Sequence, residues 1–361
     1  MRWLAKLFCV VVLMATVGLA WAGDGGSGSM NSPEPRRVTL DGKPLKLSEA
    51  LAEIKKQIDI PVVSKVSGDP EIGDPQLKAC PFWKAVDEVA AKANAFVVSY
   101  DPVTLQALAP GEEAPQVSYS GIFRTTIKRI STSKDRVTGA SWCTVVMDLA
   151  WEPGGRLFYL TQDGPSLDVR DEQNNVLGTV AGSKLEPVTE KSSWEVELRL
   201  PASPRNAAAI GLLAGKFIVL GTPQVQEVTF KDLTKGQIKT GGMDGNGTSV
   251  KLVDADLKKD LWNVKLELEH KEKMPFFESN QSWVLQDKIK VESVKGGVAP
   301  PQAEGSEIYI KDGKATLTYR FSPPGGKKEA GDPKDWKLTY VTAGQIMKMP
   351  VEFSFKDVKL P

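Results

Sequence analysis

Two heptapeptides lying 125 residues apart, EVTFKDL at 227–233 and EFSFKDV at 352–358, are near copies of one alternating strand. Each alternates polar and apolar residues over its first four positions, the period of a strand with one buried face. The copies are part of a longer repeat. VVMDLAW at 145–151 aligns with VKLELEH at 264–270 at an offset of 119, and Leu198-Arg-Leu200 aligns with Tyr319-Arg-Phe321 at 121. Ordered repetition with small drifts, which loop insertions produce, predicts two related β-domains in tandem. Expected strands fall at 122–130, 142–151, 166–170, 194–200, 217–220 and 224–230. A second set falls at 249–253, 262–269, 282–291, 315–321, 337–340 and 349–355. The Gly-rich stretch 240–247 separates them. The reading is a first β-sandwich over 116–233 and a second over 248–361, with one larger sandwich built from both halves as the alternative.

A shorter repeat precedes them. SEALAEIKKQIDIPVVS at 48–64 matches WKAVDEVAAKANAFVVS at 83–99 at an offset of 35. Leu47, Leu51, Ile54 and Ile58 form one helical stripe, and Phe82, Val86, Val89 and Ala93 form another at the same spacing. Ser48 is the expected N-cap region of the first helix, with Glu49 in its first turn. Extended segments at 38–40, 60–63 and 95–100 flank the helices, so residues 36–110 read as an α+β module, β-α-β repeated twice. The expected fold class is this α+β module followed by mostly-β tandem sandwich domains.

The phrases LDGKPLKLSEALAEIKKQIDIPVVS and LKACPFWKAVDEVAAKANAFVVS resemble the short N-terminal domain of secretins and TonB-dependent receptors. In that family a strand, a small turn and an xLxEALxxL helix recur twice. The resemblance covers about 70 residues, rests on hydrophobic spacing and implies a periplasmic interaction domain. Nothing downstream resembles a secretin ring or barrel, so pore formation does not follow.

The first 22 residues read as an export signal. Arg2 and Lys6 precede the apolar run Leu7–Ala20, and Ala20-Trp21-Ala22 supplies a small-x-small cleavage pattern. The run is short for a membrane span. Residues 23–35, rich in Gly, Ser and Pro, read as a flexible tether. Removing the signal leaves 44 basic residues against 45 acidic ones, a balance that argues against nucleic acid as partner. The same reading expects no integral membrane span after cleavage, and a location in the periplasm or outside the cell. Cys80 and Cys143 lie in different modules. An oxidising compartment permits pairing, but the alternation around Cys143 reads as a buried thiol.

The usual catalytic templates find little to fit. His270 is the single histidine; it ends an alternating strand beside Glu269, where a solvated surface imidazole is expected. One His and two separated Cys do not make a zinc site. The glycines of 241–247 lack the lysine of a phosphate-binding loop. Asp244-Gly-Asn246 opens like a calcium loop but has Ala255 at the twelfth position. Catalytic, cofactor-binding and metal-ligating residues are therefore expected to be none. Glu278 is the best single carboxylate for sugar hydrolysis, with no partner at a telling spacing. Asn246 and Asn280 match the glycosylation sequon by coincidence. Trp142, Trp151, Trp194, Trp262, Trp283 and Trp336 recur at strand positions and mostly read as core. The adjacent Phe276 and Phe277 cannot both face inward on a strand, so Phe276, Phe277 and Trp283 are the candidate binding surface.

These features point to an exported, non-catalytic bacterial envelope protein that engages an envelope protein or a cell-surface polymer. Two alternatives stand beside it. One is a carbohydrate-binding protein or cryptic glycoside hydrolase, which requires exposed Trp on one sheet face. The other is an accessory subunit of a secretion or uptake complex.

Overall fold

The computed structural model describes residues 33–99, 101–163, 167–177, 183–188, 192–201, 208–240, 247–257, 261–270, 282–296, 298–324 and 332–361. Strand predominates at 58%, against 11% helix. The first segment runs β1 (Arg37–Leu40), β2 (Leu45–Lys46), α1 (Leu47–Ile58), β3 (Val62–Ser64), β4 (Glu71–Gly73), β5 (Leu77–Pro81), α2 (Phe82–Lys92), β6 (Ala95–Val98) and β7 (Val103–Ala107). Both apolar stripes face one core, with Leu47, Leu51, Ile54, Phe82, Val86 and Val89 buried.

The α+β expectation for this segment does not hold. A β-α-β unit needs the strands on either side of its helix in one sheet. Here β2 pairs with β4 while β3 pairs with β7, so α1 joins two different sheets. Likewise β5 pairs with β1 and β6 with β7 around α2. Three small sheets carry two helices in a mostly-β chain. Strands of two to five residues have too few cross-strand pairs to specify a wide sheet, and helix periodicity says nothing about strand partners. Ser48 is not the cap either. Lys46 is the N-cap, and the Asp69 carboxylate accepts from Ser48 N at 2.8 Å and Ser48 Oγ at 2.7 Å. Those bonds hold Asp69 below its ordinary pKa.

The mostly-β remainder forms two sheet pairs. The first packs β8 (Val117–Ser120), β9 (Phe123–Lys134), β10 (Ser141–Trp151) and β14 (Ser193–Pro201) in one sheet. Opposite lie β11 (Arg156–Asp163), β12 (Asp168–Asp171), β13 (Ser183–Pro187) and β15 (Ala209–Thr222). The second packs β17 (Ile238–Thr240), β18 (Ser249–Asp256), β19 (Trp262–Glu269), β21 (Gln302–Lys311) and β22 (Lys314–Ser322) against β20 (Lys288–Ser293) and β23 (Trp336–Ala343). Each pair is completed by a strand from the other half. The first half's last strand, β16 (Val225–Phe230), pairs with β23. The chain's last strand, β24 (Met347–Lys359), runs the length of β15.

This exchange involves the two repeated heptapeptides. Val228, Phe230 and Leu233 fill the second core, and their counterparts Phe353, Phe355 and Val358 fill the first. Turn chemistry explains why neither strand folds back on its neighbour. A two-residue hairpin needs positive φ at its central residues, and Pro223 between β15 and β16 is locked near −65°. No residue between β23 and β24 has positive φ either. The two connectors cross in contact, with Gly344 N donating to Gln224 O at 3.2 Å. A Cβ on Gly344 would lie 2.7 Å from that carbonyl oxygen.

Polar networks join the first segment and the two sheet pairs. Arg124, only 2% exposed, meets Asp87 of α2 through Nε and Nη2, both at 2.8 Å. Tyr119 donates to the same carboxylate at 2.8 Å, and Trp83 Nε1 donates to Ile122 O at 3.1 Å. Ala150, on the outer face of β10, is buried in the first segment's core. Beside it the buried Glu152 accepts from Arg36 N through both carboxylate oxygens, at 3.2 and 3.1 Å. Burial pushes its pKa up to about 7. Between the sandwiches, Asp287 accepts from Arg156 Nη2 at 2.7 Å, Thr342 Oγ1 at 2.7 Å and the Tyr340 hydroxyl at 2.6 Å. Burial pushes the Asp287 carboxyl up, and Arg156 with the two hydroxyls pulls it back. Phe158 of β11 is buried in the second core.

Candidate interaction surface

The residues singled out by sequence do not assemble into a described surface. Phe276, Phe277 and Glu278 lie outside the described residues. Trp283 falls in a 3-10 turn, Ser282–Gln286. Residues 241–246 of the Gly-rich separator 240–247, including the sequon residue Asn246, and Asn280 also lie outside the described residues.

His270 corrects the expectation of a solvated imidazole. It is buried, its Nε2 accepts from Ile346 N at 3.5 Å, and burial holds its pKa below the ordinary value. It supports the strand crossing at 344–346. Cys80 and Cys143 are free thiols buried in separate cores, and burial raises both pKa values. Trp151, Trp262 and Trp336 are core residues. Trp194 packs against the first core, and Trp142 lies under the Arg199 guanidinium, 4.7 Å from its ring centroid. An exposed row of Trp on one sheet face, which sugar stacking requires, is not formed by these five.

Among the described residues, no three His, Cys, Asp or Glu side chains gather as metal ligands, and no helix is long and apolar enough to cross a membrane. An open groove of about 480 Å³ lies where β8 approaches β24, lined by Tyr119, Asp168, Lys216 and Glu352 among others.

The edges of the sheets are more informative, because an unpaired edge is a template for another strand. The chain covers the edge of β24 with side chains of β8 and of Gln116 just before it. Ser120 Oγ accepts from Glu352 N and Ser118 Oγ from Ser354 N, each at 3.2 Å, and Gln116 Nε2 donates to Lys356 O at 3.1 Å.

Among the described residues, strand β21 has no such cover. It is the outermost strand of the five-stranded sheet. Eight of its ten residues are exposed, and only Ile308 and Ile310, packed on the rim of the core, are half-buried. On its outer face Tyr309 is 64% exposed between Glu307 and Lys311.

The hairpin fixes which main-chain groups are free. Asp312 and Gly313, at φ 52° and 74°, form a two-residue turn that sets Lys311 opposite Lys314. In such a turn the flanking residues are a hydrogen-bonded pair. Lys311, Tyr309 and Glu307 therefore bond to β22, and Ser306, Ile308 and Ile310 aim N–H and C=O outward. The sequence carried this signal in Asp312-Gly313 flanked by alternating apolar residues, which the strand count above omits.

Comparison with protein-family models, curated proteins and solved structures returned no match.

Proposed function

We propose that the protein is an exported, non-catalytic interaction module of the bacterial envelope that binds a protein partner by adding a strand to β21. The carrying observation is the open edge at Ser306–Lys311, with outward main-chain groups and a half-buried Ile308/Ile310 row that a further strand would cover. Strand addition gives affinity through main-chain bonds and specificity through alternate side chains. Two sequence features support the envelope location: the signal-like residues 1–22 and the resemblance of residues 36–110 to secretin N-terminal domains. The bonded junctions at Arg124–Asp87 and Arg156–Asp287 support a rigid scaffold that presents the edge. The placement of Trp151, Trp262 and Trp336 in cores weighs against the carbohydrate reading.

The test is affinity capture from bacterial envelope extract with wild type and Ile308→Pro. Proline removes an outward N–H while leaving the bonds to β22, a position where edge strands tolerate it. A captured protein lost with this variant, at unchanged near-UV circular dichroism, supports the reading. Capture that survives the variant, or no capture, contradicts it.

A further inference from the structure

We infer that the strand added to β21 is β21 of a second copy, paired antiparallel about a two-fold axis at Tyr309; this rests on the reading of β21 as a docking edge. In antiparallel pairing, opposed side chains share a face, so the two residue numbers must sum to an even value when a strand meets its own copy. The sum must also pair outward-bonding residues with each other. Centring on Tyr309 satisfies both conditions. Ile308 then bonds with Ile310 of the copy and Ile310 with its Ile308, which uses two of the three residues whose outward groups the turn leaves free.

The side chains agree with that register. On the core face it sets Ile308 against Ile310 twice, extending the half-buried row into a continuous apolar seam. On the outer face Glu307 opposes Lys311 of the copy, Tyr309 opposes Tyr309, and Lys311 opposes Glu307. These are non-hydrogen-bonded positions, where side chains approach most closely. Both opposite-charge pairs are therefore direct cross-strand neighbours. Glu307 is ion-paired with Arg320 through one carboxylate oxygen, and its side chain remains 65% exposed. Shifting the centre by one residue, to Ile308 or Ile310, keeps the outward groups paired but sets Tyr309 opposite Glu307 or Lys311 and leaves no opposite-charge pair across the seam. Shifting it by two, to Glu307 or Lys311, sets like charges opposite each other at the axis.

In this register Glu307 opposes Lys311, the last residue before the copy's Asp312-Gly313 turn, so by symmetry the turns end the pairing at both ends, Glu307 to Lys311. The contact is thus short, and the dimer it makes is weak and reversible.

Sedimentation equilibrium over a concentration series tests the pairing with Lys311→Glu, Glu307→Lys and their equimolar mixture. The register predicts that each variant alone places like charges opposite each other twice, weakening association about tenfold. In the mixture every opposed pair becomes Glu–Lys, so a heterodimer forms with affinity near that of the wild type. Wild type that stays monomeric at millimolar concentration overturns the self-pairing. So does dimerisation that the single variants leave intact, or a mixture that stays dissociated. If self-pairing fails in this way, capture sensitive to Ile308→Pro would still support docking of a different strand on β21. Loss of both would remove the docking reading as well.

Discussion

Replacing Glu152 with Gln should abolish a pH dependence of stability that the docking of the first segment creates. Glu152 is 4% exposed and holds Arg36 N with both carboxylate oxygens. Burial raises its folded pKa from 4.5 to about 7. Between those two values the folded protein holds a proton that the unfolded chain has released. Stability therefore falls as pH rises, by about 1.4 kcal/mol per pH unit. The contribution is fully present below pH 4.5 and is lost by about pH 7, a total of about 3 kcal/mol. His270 acts in the opposite direction: burial lowers its pKa, so its contribution grows as pH rises toward its ordinary value. Comparing wild type with Glu152→Gln removes that background, since Gln keeps an acceptor for Arg36 N without a titrating proton. The assay is urea denaturation of both proteins from pH 4 to pH 8. The difference curve should decline across the interval and flatten on either side. A flat difference, or one that rises with pH, would refute the burial of Glu152 at this junction.

Three further outcomes follow from the junctions and the exchanged strands. Arg124→Met leaves Asp87 partly buried without its guanidinium and should cost about 3–5 kcal/mol, read as early loss of residues 36–107 in denaturant-dependent hydrogen exchange. Deleting residues 347–361 removes Met349, Val351, Phe353, Phe355 and Val358 from the first core. At about 2–5 kcal/mol for a large buried side chain, that exceeds the stability of an ordinary domain. Exchange protection should collapse in β10 and β15 and persist in β19 and β22; the reverse pattern would place β24 in the second half. Gly344→Ala forces a Cβ against Gln224 O and should cost about 1–3 kcal/mol, measured by thermal unfolding.

Much of the local structure was legible from residue patterns. The stripes Leu47-Leu51-Ile54 and Phe82-Val86-Val89 became buried helix faces because the 3.6 period has one solution for each segment. The strand copies around Phe230 and Phe355 became strands for the same reason at period 2. What the patterns could not carry was partnership. Phe230 and Phe355 are equally apolar, so either core accepts either strand, and the choice rests on Pro223 and on connectors without positive φ. The separate sheets around α1 and α2 were hidden for a related reason: strands this short carry almost no register information. His270 was misread because its burial depends on the crossing connectors, which are distant in sequence. The open edge at β21 was legible in Asp312-Gly313, yet the importance of that edge emerges only when the covered edge of β24 is set beside it.

Residue-resolved hydrogen exchange across Ser306–Lys311 tests the open edge most directly. In dilute protein the amides of Ser306, Ile308 and Ile310 should exchange freely while those of Glu307, Tyr309 and Lys311 are protected by β22. Raising the protein concentration should slow Ile308 and Ile310 selectively. Equal protection of all six amides in dilute protein would mean that the edge is already covered, and would contradict the account.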